Sequence, residues 1–144
     1  IHPLRVTTSC CIAVALLLGC SSTSSSDDVG AAFCDATLNF DESLKVVSDM
    51  MGEDPTTNEF RKEFTKLVDA ANRLAETATE DLKDEADLIR KSIAEFAAVM
   101  EKFDYDVFDV ATSTVAMKQL EVVASEEFVA ANRAVTTYSS ENCN

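Results

Sequence analysis

Histidine is almost absent from the chain: the only one among 144 residues is His2. Catalysis built on a Ser-His-Asp or Cys-His pair needs an imidazole near the nucleophile, and the helical di-iron sites need a Glu-x-x-His pair, so both are excluded for the body of the protein. Tryptophan is missing, and there are only three glycines and two prolines. So few turn formers argue against an all-β sandwich. Past Gly19 only Gly30 and Gly52 remain, which leaves no glycine-rich loop to cradle a phosphate. Positive charge is also scarce, with 12 Lys and Arg against 26 Asp and Glu and a formal net charge of −14. Nucleic-acid binding, which relies on Lys and Arg displacing counterions, is therefore disfavoured. An acidic surface favours solubility and cationic partners. Only one continuous apolar run exists, which excludes a multi-pass membrane protein.

What is present fits one folded domain. Hydrophobic residues make up 47% of the chain and charged residues 26%, a globular and not a disordered balance. The apolar run, Cys10 to Leu18, follows Arg5 and precedes small residues. This is the layout of an export signal, too short for a permanent membrane helix. It ends in Leu17-Leu18-Gly19-Cys20 and continues directly into Ser21-Ser22-Thr23-Ser24-Ser25-Ser26. The Leu-x-Gly-Cys quartet resembles the lipobox of bacterial lipoproteins. The resemblance implies a signal peptide at 1–19, cut before Cys20, and a diacylglyceryl group on the Cys20 thiol. Residues 20–30 then form a Ser-rich tether, as a lipid-anchored domain requires, and 31–144 form the folded body. Two or more buried acyl chains hold such a protein to its membrane at ~0.8 kcal/mol per methylene.

If that resemblance holds, Cys10 and Cys11 leave with the signal and Cys20 carries lipid. Of the five cysteines, Cys34 and Cys143 remain, one at each end of the folded body. The space outside the cytoplasm preserves disulfides, so the expectation is one bridge joining the chain ends. Two free thiols or a metal pair are the alternatives, and two cysteines without a histidine make a poor zinc site.

From about Ala31 the apolar residues follow a helical period. Phe33, Ala36, Phe40, Leu44, Val47 and Met51 form a first stripe, stopped by Gly52-Glu53-Asp54-Pro55 with Gly at a position helix ends favour. Thr56-x-x-Glu59 reads as a capping box. Phe60, Phe64, Leu67, Ala71, Leu74 and Ala78 form the second stripe, and Leu82, Ala86, Ile89, Ile93, Phe96, Met100 and Phe103 the third. No Gly or Pro divides these two, so a single helix from 57 to 103 competes with a break near Thr79, where Thr79 would serve as an N-cap ahead of Glu80 and Asp81. The break is preferred, since a lone rod would leave its stripe without partners. Asp104-Tyr105-Asp106 ends the third helix. Val107 to Met117, with Phe108, Ala111 and Val115, reads as a short helix or irregular crossing. Leu120, Ala124, Phe128, Ala131, Val135 and Tyr138 form the last stripe, with a new start at Ser125-Glu126-Glu127.

The expected fold is thus all-α, an antiparallel four-helix bundle with a short extra helical segment. In that topology the start of the first helix and the end of the last lie at the same end, which brings Cys34 and Cys143 together. An early Cys34, a charged central helix and the tail Tyr138-Ser139-Ser140-Glu141-Asn142-Cys143 also resemble small helical lipoproteins of actinobacteria, which implies the same fold and location and no particular activity.

Three groups of residues merit weighing as sites. Asp84, Glu85 and Asp87 are interleaved with Lys83, Arg90 and Lys91, which reads as a solvated helix face and not an acid-base dyad. Asp104, Asp106 and Asp109 could offer oxygens to Ca²⁺, but the Gly and closing Glu of an EF-hand loop are missing, and capping is the better reading. The eight phenylalanines fit core packing better than a ligand cavity. The expectation is a lipid-anchored, extracytoplasmic and non-enzymatic protein without cofactor or metal. Its helical domain binds or scaffolds an envelope component. The alternative is a carrier or sensor of a small apolar ligand held between helices. An internal pocket of roughly 300 Å³ or more favours the carrier; a filled core with an exposed apolar patch favours the partner-binding protein.

Overall fold

A capping box opens the best-defined helix: the Thr56 hydroxyl accepts from the Glu59 amide at 3.3 Å while the Glu59 carboxylate accepts from the Thr56 amide at 3.3 Å. In the computed structural model, which describes residues 25–143, the helices are α1 (Ser25–Met51), α2 (Thr57–Thr77), α3 (Lys83–Lys102), α4 (Val107–Thr112), α5 (Thr114–Gln119) and α6 (Glu126–Asn142). Short 3₁₀ turns at Glu80–Leu82 and Leu120–Ala124 precede α3 and α6. No strand occurs among the described residues. The leader read at 1–19 and the lipidation candidate Cys20 lie outside them. α1 starts inside the stretch read as tether, because Ser25 to Ala32 holds no stronger helix breaker than Gly30, a cost of about 1 kcal/mol against alanine.

The helix ends are settled by local chemistry. α1 stops at Met51 through tight turns, in which the Gly52 amide donates to the Asp49 carbonyl at 3.1 Å and the Glu53 amide to Met50 at 3.1 Å. Gly52 has no positive φ, so it ends the helix without the left-handed geometry that usually brings glycine there. The competing 47-residue rod is not formed: α2 ends at Thr77, and Ala78 and Thr79 are both extended. Thr79 occupies the position expected for a cap, yet its side chain makes no capping bond and its hydroxyl is buried without a partner. The Leu82 amide donates to the Thr79 carbonyl at 3.0 Å and not to its hydroxyl. Asp106, Ser113 and Ser125 do cap, accepting from the amides of Asp109, Ala116 and Phe128 at 2.9, 3.2 and 3.1 Å.

Packing runs α1 on α2, α2 on α3 and α3 on α6, so that α1, α2, α3 and α6 make the antiparallel bundle. The α1–α6 seam is the thinnest of the four. The disulfide Cys34–Cys143 closes it at the end where α1 enters and the chain finishes, with Cα atoms 5.5 Å apart. The second and third stripes are buried from Phe60 to Leu74 and from Leu82 to Met100, with Ala78 and Phe103 partly covered at their ends. In the first stripe Phe33, Ala36, Phe40 and Val47 are buried, but Leu44 is half-covered and Met51, past the last packed turn, is 39% exposed. In the last, Leu120, Phe128, Ala131 and Val135 are buried, whereas Ala124 faces water because the 3₁₀ turn shifts the helical phase before α6.

Phenylalanine rings fill the middle. Phe64 meets Phe96 edge-on at 4.8 Å and Phe60 at 5.7 Å, and Phe33 meets Tyr138 edge-on at 5.6 Å across the thin seam. Such contacts add ~0.5–1.5 kcal/mol each beyond their buried area.

Candidate functional site

The bundle end opposite the disulfide carries the most unusual backbone. After α3, Asp104 and Tyr105 both have positive φ, 50° and 64°. Neither is glycine, and each costs about 1–3 kcal/mol in that region. The surroundings hold them there. The Tyr105 amide donates to the Met100 carbonyl at 2.9 Å, closing the end of α3. Arg61, in the first turn of α2, donates to the Asp104 carbonyl at 3.3 Å and sits 5.1 Å from the Tyr105 ring centre. That ring in turn packs edge-on against Phe64 at 5.9 Å. Burial raises the Tyr105 phenol above its ordinary value of 10.0, and Glu101 adds to this, while Arg61 opposes both. Tyr105 thus packs as a wedge between Arg61 and Phe64.

The turn delivers the chain into α4 and α5, two six-residue helices in the stretch that reads from sequence as a short helix or irregular crossing. Phe108, Ala111 and Val115 point outward; Phe108 is 73% and Val115 69% exposed, and Met117 is 50% exposed. Val110, Ala116 and Leu120 are the buried residues instead. The cause is Ser113. It is extended at φ −88°, ψ 111°, ending α4 and capping α5, so each helix of six residues sets its own phase. The capping pair Asp106-x-x-Asp109 and the restart at Ser113-x-x-Ala116 are the sequence signals that could have located these breaks.

The other sequence-derived candidates resolve into local pairs. The Asp87 carboxylate accepts from Arg90 at 3.1 Å, and Glu80 lies 3.8 Å from Lys83. These are surface pairs one helical turn apart, worth about 0.5 kcal/mol or less. Asp106 spends a carboxylate oxygen on its cap, and the Asp104 contact runs through its main chain. No group of three or more His, Cys, Asp or Glu converges on a metal position among the described residues. Cys34 and Cys143 are brought together as one disulfide.

Between the start of α3 and α6 runs an open groove of about 520 Å³, with Asp81 and Leu82 on one wall and Arg133, Tyr138 and Glu141 on the other. A shallower depression of about 350 Å³ continues it past Leu88 and Glu127. Both exist because Ala130 and Ala134 are too short to fill the space between the helices. Their walls mix alanine and leucine with acidic side chains and Arg133, they open to solvent, and neither is lined by a phenylalanine.

No family model, curated protein or solved structure matches this chain. Its function must be read from its own geometry. Six of the eight phenylalanines are buried, namely Phe33, Phe40, Phe60, Phe64, Phe96 and Phe128. Phe108 is the large aromatic side chain left in water, on a segment the fold holds rigidly at its base. No helix among the described residues is long and apolar enough to cross a membrane.

Proposed function

We propose that this protein is a lipid-anchored, extracytoplasmic lipoprotein whose acidic helical domain is a non-enzymatic binding module. On this reading Cys20 carries the lipid, and the domain docks a component of the cell envelope through the outward face of α4 and α5. The observation that carries the docking role is Phe108, 73% exposed on α4, with Val115 and Met117 exposed on the next short helix, while the interior is filled by other rings. Leu38 on α1 is also exposed, but alone; Phe108 is followed by two further exposed apolar residues within ten positions, and such a concentration supports a contact surface. The anchor rests on Leu17-Leu18-Gly19-Cys20 and the serines after it.

The chemistry of the domain supports a binder over a catalyst. Its titratable groups are solvated carboxylates and surface pairs, and its one aromatic phenol of note is engaged structurally. The packed core supports a protein that binds on its surface over one that carries an apolar molecule inside.

The test is a photoreactive phenylalanine at position 108 in the native, membrane-bound protein. Crosslinks to one defined envelope protein, absent when the reactive group sits at exposed Lys91 on α3, are the expected result. Organic extraction that recovers a stoichiometric small molecule, together with no protein crosslink, would overturn the reading in favour of a carrier. Labelling with an alkynyl fatty acid should mark the wild type and not Cys20→Ser.

A further inference from the structure

The apolar face of α4 and α5 does not stand alone; it is set in negative charge. Residues 103–117 contain Asp104, Asp106 and Asp109 and no Lys or Arg, and exposed Lys102 and Lys118 stand at the two edges of this stretch. Asp109 is the immediate neighbour of Phe108, and Asp104 and Asp109 are both exposed. These carboxylates are not consumed by ion pairs within the domain: each of the four pairs found among the described residues lies elsewhere, on Lys45, Lys66, Lys83 and Arg90. Apolar side chains beside unneutralised carboxylates form a surface with a definite complement.

We infer that this face docks a basic, amphipathic protein segment, one whose apolar side chains cover Phe108, Val115 and Met117 while its Lys or Arg groups meet Asp104, Asp106 and Asp109. The inference rests on the docking role given above and specifies the partner's chemistry. Charge complementarity selects this occupant. A second copy of the domain would bring acidic face to acidic face. An anionic bilayer would be repelled by the same carboxylates and by the net charge of −14.

The topology agrees. α1 enters the bundle at the end closed by the disulfide. Arg61 at the start of α2 grips the Asp104–Tyr105 turn, so α4 leaves from the opposite end of the bundle. From Cys34 to Met51 that is about 25 Å of helix. The disulfide end, where α1 enters, and the docking face therefore occupy opposite ends of the bundle. Because the turn is already clamped at rest, binding demands little ordering of the surface.

The experiment uses the full lipidated protein in zwitterionic nanodiscs with two synthetic probes, an amphipathic Lys/Leu peptide and its Glu/Leu counterpart. Saturable binding of the Lys/Leu peptide alone is expected. Phe108→Ser should weaken it about tenfold, which corresponds to ~1.4 kcal/mol. The combined variant Asp104→Asn, Asp106→Asn, Asp109→Asn should weaken it severalfold at low salt and hardly at all at high salt. Asparagine keeps the cap at 106 and tolerates the left-handed backbone at 104, and circular dichroism on both variants confirms the fold. Equal affinity of either variant for the peptide sinks the proposal. So does binding of phosphatidylglycerol vesicles that is lost in Phe108→Ser, since the occupant is then lipid. If the peptide fails but position 108 still crosslinks a protein with no basic segment, the docking role survives and only the partner's chemistry falls. If position 108 crosslinks nothing, both fall.

Discussion

From Phe33 to Met100 apolar stripes recur in step with the helix and most of their residues are buried; from Asp104 to Ala124 the chain is cut into short pieces, and Phe108, Val115 and Met117 face water. In the first region burial sets the structure, and the caps only mark where helices begin. In the second the order reverses: Asp106, Ser113 and Ser125 decide where each piece starts, and burial follows from the phase they impose. The difference separates the two tasks of the molecule. One part holds together, and the other is free to present a surface.

The sharpest way to break this contrast is to remove the staple. Cys34→Ser with Cys143→Ser opens a loop whose ends are 109 residues apart, a loss of about 4–5 kcal/mol in the chain-entropy account. Because the α1–α6 seam is thin, amide exchange should accelerate in α6 far more than in α2. Uniform acceleration would mean that the seam is no weaker than its neighbours. Next in size is Phe64→Ala, expected to cost about 4 kcal/mol in urea unfolding through the cavity left among Phe60, Phe96 and Tyr105. Phe108→Ala should stay within about 0.5 kcal/mol of wild type by the same assay. A comparable loss at both positions would erase the distinction between core and surface phenylalanines.

Caps come third. Ser125→Ala removes the hydroxyl that accepts from the Phe128 amide and should cost about 1 kcal/mol, with Ser125→Asp restoring most of it. The smallest effect concerns charge. Asp41, half-buried on α1, has its pKa raised above the ordinary 3.8 by burial. The folded state therefore holds that proton more tightly than the unfolded chain. Ionisation in the fold is a penalty, present above the raised value and relieved as pH falls through it. Asp41→Asn should accordingly raise the melting temperature slightly at pH 7, with the gain gone below pH 3.8. A gain that persisted at low pH would point to packing and not to charge.

Much of the fold is legible in the sequence because long amphipathic runs average over local detail. Phe60 through Leu74 and Leu82 through Met100 repeat often enough that one misplaced residue does not alter the phase, and the pairing of Cys34 with Cys143 follows from an even number of long helices. Thr79 shows the limit. Its type and place mark the break correctly, but its hydroxyl makes no capping bond to the 3₁₀ turn beyond it, and spacing alone carries no sign of that. The candidate site was the least legible part. Six residues are under two turns of helix, too few for the spacing of Phe108, Ala111 and Val115 to show which side of 107–119 is buried. The grip of Arg61 on Tyr105 joins residues far apart in sequence and leaves no local pattern.

The bond between Cys34 and Cys143 also makes the domain a covalent ring. A protease that nicks the exposed Gly52-Glu53-Asp54 link would not release α1 from the other helices. Both fragments would stay joined until a reductant reached the sulfurs. A single cut there is thereby kept from becoming loss of a quarter of the bundle.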